Sequence, residues 1–232
     1  MTRMRRFWWI ALLAAACGCR PKQESPPPQH APGAAQAPAP APPEPAPADA
    51  RPVIACFGDS LTAGFGLEPG QSFPDLLQAD LDRRGYRYRV ANLGVSGDTS
   101  QDGLARLSLG LQEKPAIALV ELGANDGLRG EPVATTESNL AQIIEAFQKA
   151  GARVVLAGIT LPPNYGPEYI RQFDAMYPAL AARYKVKRIP FLLEGVGGHA
   201  DLMQRDGLHP NAEGARIVEK TVFQALEPLL RK

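Results

Sequence analysis

A chain of 232 residues, 45% of them hydrophobic, is long enough to fill one α/β core and too short for two large ones. Its 25 Lys and Arg residues nearly balance its 24 Asp and Glu residues, and the net charge of +1 argues against a nucleic acid as partner. We expect one globular domain that acts as a monomer.

The first residues have the pattern of an export signal. The apolar run FWWIALLAAAC is preceded by Arg3, Arg5 and Arg6. This run is shorter than the roughly 20 residues that a helix needs to cross the hydrocarbon core of a bilayer. We therefore predict a signal peptide over residues 1–16 rather than a permanent membrane span.

The signal ends in AAAC, which resembles a bacterial lipobox, where the cysteine carries diacylglycerol and becomes the first mature residue. Cys17 is the predicted lipidation site, and Cys19, which follows ACG, is the alternative. An ordinary secretory signal cut after Ala16 is a third possibility. Two acyl chains hold a protein at a membrane because each buried CH₂ contributes about 0.8 kcal/mol. The predicted location is the bacterial cell envelope, as a periplasmic or outer-membrane lipoprotein.

Residues 17–50 form a predicted linker. Pro and Ala dominate from Ser25 to Ala50, and no apolar periodicity there could build a core. At about 3.1 Å per residue in polyproline geometry, this segment reaches at most roughly 80 Å. Cys56 is the one cysteine beyond the linker, so we expect no disulfide within the domain over residues 51–232.

From Arg51 onward, short apolar runs alternate with amphipathic segments. The runs predict strands at VIACF (53–57), VANL (90–93), IALVEL (117–122), VVLAGI (154–159) and 189–192. The intervening segments carry apolar faces typical of helices, with Phe73, Leu76, Leu77 and Leu81; Leu140, Ile143, Ile144 and Phe147; Ile170, Phe173, Tyr177 and Leu180; and Ile217, Val218, Val222 and Leu226. Unbroken apolar strands separated by helices predict a parallel sheet covered on both faces.

A serine follows the first strand, in FGDSLTAG, where active residues of parallel sheets gather. The hydroxyl of Ser60 needs a base to act as a nucleophile. Of the three histidines, His30 lies in the linker and His199 in a Gly-Gly-His loop, whereas His209 stands in RDGLHPN, three residues after Asp206. An aspartate and an imidazole on one turn can hydrogen-bond, which leaves the other ring nitrogen to accept the serine proton. We predict Ser60, His209 and Asp206 as catalytic residues.

Taken singly, these features are ordinary. A serine after a strand is usually a helix cap, and DGLHPN is usually a turn that leads into a helix near Asn211. Their occurrence in order, each after its own strand, is what points to catalysis.

Four blocks resemble the SGNH, or GDSL-type, hydrolase family, over a match that runs from Arg51 nearly to the C-terminus. FGDSLTAG is similar to its nucleophile block, NLGVSGDTSQDGLARL to its glycine block, ELGANDGLRG to its asparagine block, and DGLHPN to its acid and base block. LPPNYG and MYPAL further resemble the periplasmic acyl-thioesterase, lysophospholipase and arylesterase branch. The resemblance implies a three-layer, flavodoxin-like fold with a five-stranded parallel sheet. It also implies hydrolysis of acyl esters or thioesters through an acyl-enzyme, with no cofactor and no metal.

The resemblance also assigns roles to further residues. The backbone N–H groups of Ser60 and Gly97 and the side-chain amide of Asn125 would form the oxyanion hole. Asp59 would hold the turn through backbone hydrogen bonds. Expected substrate contacts are Leu128, in GLRGEP, and Leu161 and Pro162, after the fourth strand.

Other classes of function fit these residues less well. An α/β-hydrolase would show a G-x-S-x-G elbow, and neither Ser60 nor Ser96 has both glycines. A metallophosphoesterase needs more histidines and carboxylates around a metal than the domain provides. Asp59, Asn125 and His209 are the residues that could still serve such an enzyme, and activity that persists in EDTA would exclude it. Two further alternatives are a carbohydrate O-acetyl esterase of the same family and a catalytically silent, envelope-anchored binding domain. The triad by itself leaves the acyl chain and the leaving group open.

Overall fold

The structure, a computed structural model, describes residues 49–232. The predictions for the signal peptide, for Cys17 and Cys19 and for nearly all of the linker fall on residues 1–48 and lie outside the described residues.

The described residues contain one parallel sheet of five strands in the spatial order β2-β1-β3-β4-β5. The strands are β1 (Val53–Gly58), β2 (Arg89–Gly94), β3 (Ile117–Glu121), β4 (Arg153–Ala157) and β5 (Lys187–Ile189). This is the flavodoxin-like order: the chain runs from β1 outward to β2 and then returns across β1 to β3. The predicted fold class is confirmed.

The helices form two layers, one on each face of the sheet. They are α1 (Ser60–Ala63), α2 (Phe73–Arg83), α3 (Ser100–Ala105), α4 (Leu107–Gln112), α5 (Ala124–Leu128), α6 (Val133–Lys149), α7 (Pro167–Tyr184) and α8 (Ala212–Leu226), with 3-10 turns at Pro163–Tyr165 and Glu227–Leu229. Helix α2 packs against α8, whereas α6 packs against both α3 and α7. These two groups cover opposite faces of the sheet, as right-handed crossovers require.

The core lies on both sides of the two central strands. Every residue of β1 and of β3 is buried, which explains why both read as unbroken apolar runs. The predicted apolar faces of the helices point into this core, with Leu77, Phe147 and Phe173 fully buried. Cys56 is a buried free thiol in β1. In residues 49–232 no helix has both the length and the apolar character to cross a bilayer.

The sheet order also fixes where a ligand can bind. The connections after β1 and β3 leave toward opposite faces, so a crevice opens between the carboxyl ends of these two strands. Ser60 follows β1 and Asn125 follows β3, which puts both residues at this crevice.

Candidate active site

The turn after β1 presents the serine. Asp59 caps helix α1, and its carboxylate accepts a hydrogen bond of 3.0 Å from the Leu61 N–H. The turn that Asp59 was expected to hold is therefore held by this bond. Ser60 is the first residue of α1, and its side chain lines the cavity at the carboxyl edge of the sheet.

The loop before α8 brings the base to the serine. The Ser60 hydroxyl donates to Nε2 of His209 at 2.8 Å, and Nδ1 of His209 donates to Oδ2 of Asp206 at 2.6 Å. Oδ1 of Asp206 accepts the N–H groups of Leu208 and His209, at 2.9 and 3.1 Å. The three residues predicted as catalytic thus form one hydrogen-bonded chain, although Ser60 and His209 are 149 positions apart.

Gln204 ties this loop to the turn after α1. Its Nε2 donates to the carbonyl oxygens of Phe65 and Pro210, at 2.7 and 2.9 Å, while its backbone N–H donates to the His209 carbonyl. A bridge between Met203 and Pro210 closes the loop on itself. Gln204 was not predicted, because no local pattern indicates a contact across 139 residues.

The three residues predicted to form the oxyanion hole border the same cavity. Ser60, Gly97 and Asn125 all line it. Nδ2 of Asn125 donates to the Asp98 carbonyl oxygen at 2.8 Å and to Oδ2 of Asp59 at 3.3 Å, which fixes the plane of the amide, so a substrate oxygen would share one of these two N–H groups. Gly97 has a φ of +89°, a backbone conformation that favours glycine, and its carbonyl accepts Nη2 of Arg129 at 2.9 Å.

Apolar side chains form most of the cavity wall. The cavity has a volume of about 530 Å³, a size typical of small-molecule sites. Leu128, Leu161 and Pro162, the predicted substrate contacts, all line it. Leu161 packs so closely on α5 that a Cβ at Gly127 would lie 2.5 Å from its Cδ2. Sequence reasoning missed other lining residues, among them Phe65, Ile159, Phe191, Leu193 and Met203.

Phe65 is the most exposed of these unpredicted residues. Its ring lies against the His209 imidazole, with centroids 4.7 Å apart and an interplanar angle of 41°. The ring therefore shields one face of the imidazole from solvent. The half-exposed side chain also borders the opening of the cavity.

The polar residues of the cavity include a hydroxyl, an imidazole and an amide. Across residues 49–232, no three or more His, Cys, Asp or Glu side chains are grouped so that they could hold a metal ion. The hydrogen-bonded hydroxyl and imidazole at the edge of the cavity are the groups that a serine-dependent hydrolase uses.

Comparison with known sequences defines the family. The sequence model of the GDSL-like Lipase/Acylhydrolase family matches residues 56–217, and this chain belongs to that family. It is therefore a carboxylic ester or thioester hydrolase of the SGNH type, as the four blocks predicted.

Individual relatives match nearly the whole described domain. The chain is 47% identical over 182 residues to "Esterase TesA" of Pseudomonas aeruginosa, covering 78% of this chain and 90% of the relative. It is 41% identical to "Thioesterase 1/protease 1/lysophospholipase L1" of Escherichia coli strain K12, covering 78% and 86%. A crystal structure of TesA superposes with a TM-score of 0.75 at 47% identity, covering 77% of this chain and 99% of that one.

Proposed function

We propose that the chain hydrolyses acyl esters and thioesters through an acyl-enzyme on Ser60. The observation that carries this proposal is the hydrogen-bonded chain from the Ser60 hydroxyl through His209 to Asp206, at 2.8 and 2.6 Å, at the edge of an apolar cavity. Ser60 is the nucleophile, His209 the general base and then the general acid, and Asp206 the residue that orients the ring.

The reaction proceeds in two halves. Oγ of Ser60 bonds to the carbonyl carbon while its proton passes to Nε2 of His209. The bond between that carbon and the leaving oxygen or sulfur then breaks, and the leaving group takes the proton from His209. A water molecule then attacks the acyl-enzyme and gives a proton to Nε2 of His209; the bond between Oγ and the acyl carbon breaks, Oγ takes that proton back, and the carboxylic acid leaves. Charge that develops on the carbonyl oxygen is stabilised by the N–H groups of Ser60 and Gly97 and the amide of Asn125.

Substitution of the nucleophile tests this mechanism. Ser60→Ala should lower the turnover of a p-nitrophenyl ester on the order of a millionfold, because the acyl-enzyme can no longer form. Ser138→Ala is the matched control, since Ser138 is on α6 and away from the cavity. Near-normal turnover by the Ser60 variant would refute the mechanism, and an inactive wild type would favour the silent binding domain.

The substrate range follows from the wall of the cavity. Its apolar lining, with Leu128, Leu161 and Pro162, suits a hydrocarbon chain, and the relatives named above include an esterase and a thioesterase/lysophospholipase. We assign this chain acyl esters, acyl-CoA thioesters and lysophospholipids as substrates. A panel of p-nitrophenyl esters, acyl-CoAs and lysophospholipids of graded chain length tests this, with acetylated polysaccharide as the competing class. Preference for the polysaccharide would contradict the assignment.

The location is proposed from the N-terminal sequence. The basic residues, apolar run and AAAC of residues 1–17 support export and lipidation at Cys17, and the Pro/Ala-rich linker supports a tether in the envelope. Labelling of cells with radioactive palmitate should mark the wild type and not Cys17→Ala. Labelling that persists in Cys17→Ala and disappears in Cys19→Ala would move the anchor to Cys19.

A further inference from the structure

Two carboxyl groups that do not belong to the triad lie beneath the nucleophile turn. The side chains of Asp59 and Glu121 are 0% and 2% exposed. The register between β1 and β3 sets Gly58 beside Glu121 at the carboxyl ends of the two central strands. Burial of two carboxyl groups is costly unless both are hydrogen-bonded, so their partners are informative.

Glu121 binds the first turn of α1 from below. Its Oε2 accepts the Thr62 hydroxyl at 2.7 Å and the Asp59 N–H at 3.3 Å. Gly58 makes room for this carboxyl, because a Cβ there would overlap both the Thr62 hydroxyl and Oε2 of Glu121. A backbone N–H and a side-chain hydroxyl of the nucleophile turn are thus hydrogen-bonded to Glu121 at the end of β3.

Asp59 continues this connection to the oxyanion site. One of its carboxylate oxygens accepts the Leu61 N–H, and the other lies 3.3 Å from Nδ2 of Asn125. Asp59 is therefore the residue that links Glu121 to Asn125: its backbone N–H contacts Glu121, and its carboxylate contacts Asn125. Glu121 itself does not line the cavity, so its effect on a substrate is indirect.

Burial disfavours the charged forms of both carboxyl groups. Burial raises the pKa of Asp59 to about 6, and burial together with the nearby Asp59 raises the pKa of Glu121 well above its ordinary value. Neighbouring buried carboxyl groups oppose each other's ionisation, and of the two the pKa shift disfavours the charged form of Glu121 more strongly. A second charge here would oppose the charge that grows on the substrate oxygen.

Other ionisable groups surround the pair. The positive form of His209 lowers the pKa of Asp59, and the carboxylate of Asp126 raises it. The Tyr177 hydroxyl and the Cys56 thiol are buried neighbours whose pKa values burial raises, so both are neutral. Arg106 donates to the Gly58 carbonyl at 2.8 Å and is the cation next to the turn.

We propose that Glu121 is a positioning residue that fixes Asp59 and, through it, the Asn125 amide at the oxyanion site. The inference rests on the proposed role of Asn125 in the hydrolysis. Because the Asn125 amide matters most when charge has developed on the carbonyl oxygen, loss of Glu121 acts on the transition state rather than on substrate binding.

Two substitutions of Glu121 in the full chain test the positioning. Glu121→Ala should lower kcat at least tenfold with KM within about threefold, since removal of one oxyanion donor costs about 10²- to 10³-fold. Glu121→Gln keeps a side-chain oxygen that can accept both the Thr62 hydroxyl and the Asp59 N–H, and should restore kcat to within about threefold of the wild type. A folded Glu121→Ala variant with normal kcat, or a Glu121→Gln variant as slow as it, would overturn the proposal.

Thr62 provides a second test if Glu121→Ala does not fold. Thr62→Val removes the hydroxyl that Glu121 accepts while it keeps the volume, whereas Thr62→Ser keeps the hydroxyl. We expect a lower kcat for the valine variant alone, at unchanged KM. Equal kcat values for these two variants would also contradict the proposal.

A double-mutant cycle with Asn125 shows whether the effect passes through the amide. In an Asn125→Ala background, Glu121→Ala should lower kcat by less than about threefold, because the group that it positions is already absent. Additive losses would overturn the inference and leave the hydrolytic mechanism intact. A normal kcat for Asn125→Ala alone would instead refute the proposed oxyanion role.

Discussion

Asp206 sets the orientation of the His209 ring. Burial raises the pKa of the Asp206 carboxyl, but hydrogen bonds from the His209 ring and from the N–H groups of Leu208 and His209 outweigh burial, so the pKa lies below its ordinary value. The group is therefore ionised at neutral pH and accepts the proton on Nδ1, which leaves Nε2 free to accept the proton of Ser60.

Replacement of Asp206 by asparagine should reverse this tautomer. The side-chain oxygen of the asparagine can still accept the two backbone N–H groups, but its NH₂ would donate to Nδ1 and leave the proton on Nε2. We expect kcat to fall about 10⁴-fold with an unchanged far-UV spectrum. Asp201→Asn, an exposed aspartate of the same loop, is the control. An Asp206→Asn variant within about tenfold of wild type would show that the ring is oriented by other contacts.

The Phe65 ring should contribute to catalysis through the imidazole that it covers. An aromatic pair at this separation contributes about 0.5–1.5 kcal/mol, so Phe65→Ala should lower kcat/KM by about 2- to 10-fold. Phe65→Tyr keeps the ring and should keep the rate. Leu109→Ala is a matched control, because Leu109 is equally exposed but lies on α4. Equal rates for Phe65→Ala and Leu109→Ala would dismiss the contact.

Local patterns locate some of these residues and not others. Ser60 and Asn125 stand in motifs directly after buried strands, and His209 stands beside its own aspartate, so short stretches of sequence suffice to nominate them. Phe65 and Gln204 act only through contacts with distant loops. Their roles depend on the three-dimensional approach of segments about 140 residues apart, which no periodicity encodes.

At the scale of elements, the central strands were predicted closely, whereas the edge strand β5 was not. The runs that predicted β1 and β3 agree with the observed strands to within one residue, because both faces of these strands are covered. The fifth strand was expected at 189–192 and lies at Lys187–Ile189. Its first two residues are polar edge residues, and Leu192 is buried in the turn that follows, so the apolar pattern is displaced toward the turn.

Short helices were also missed. Helices α3, α4 and α5 have only five or six residues, too few for a helical period to show. The start of α3 did carry a signal: Thr99 and Asp102 form a capping box, with each side chain accepting the backbone N–H of the other.

The packing of α8 on α2 contains an unfavourable buried acid. Glu219 is 8% exposed, and its Oε1 has no hydrogen-bond partner in the part of the chain that the structure describes. Burial and the neighbouring Asp80 raise the pKa of Glu219 to about 7, against the opposing charges of Arg84, Arg83 and Lys220. The folded state therefore binds this proton more tightly than the unfolded chain does, and stability is lost as the pH rises toward 7.

Glu219→Gln should remove that loss. The variant should match the wild type near pH 4 and exceed its free energy of unfolding by about 1–2 kcal/mol above pH 7. This gain is smaller than the full linkage value because an open pocket adjoins Glu219 and lets solvent screen its charge. Urea denaturation between pH 4 and 8 measures the difference. Glu213→Gln, on the exposed face of α8, should show no such rise. A gain that is equal at all pH values would contradict the titration of Glu219.

At the scale of the whole molecule, the proposed chemistry is confined to the globular domain. The proposed catalytic and oxyanion residues all lie between Ser60 and His209, whereas the proposed anchor lies at Cys17. Arg51 binds both Asp49 and the Tyr88 carbonyl, so a shortened chain should begin at Asp49 to keep the entry to β1 intact.

A chain of residues 49–232 should therefore keep kcat/KM for a soluble p-nitrophenyl ester within about twofold of the full chain. The same shortened chain should lose binding to phospholipid vesicles, because two acyl chains supply the membrane affinity of the lipidated protein. Full-length Cys17→Ala should behave like the shortened chain in both assays. If the shortened chain is folded but slow on the soluble ester, the first 48 residues contribute to the site. If Cys17→Ala still binds vesicles and Cys19→Ala does not, Cys19 carries the anchor.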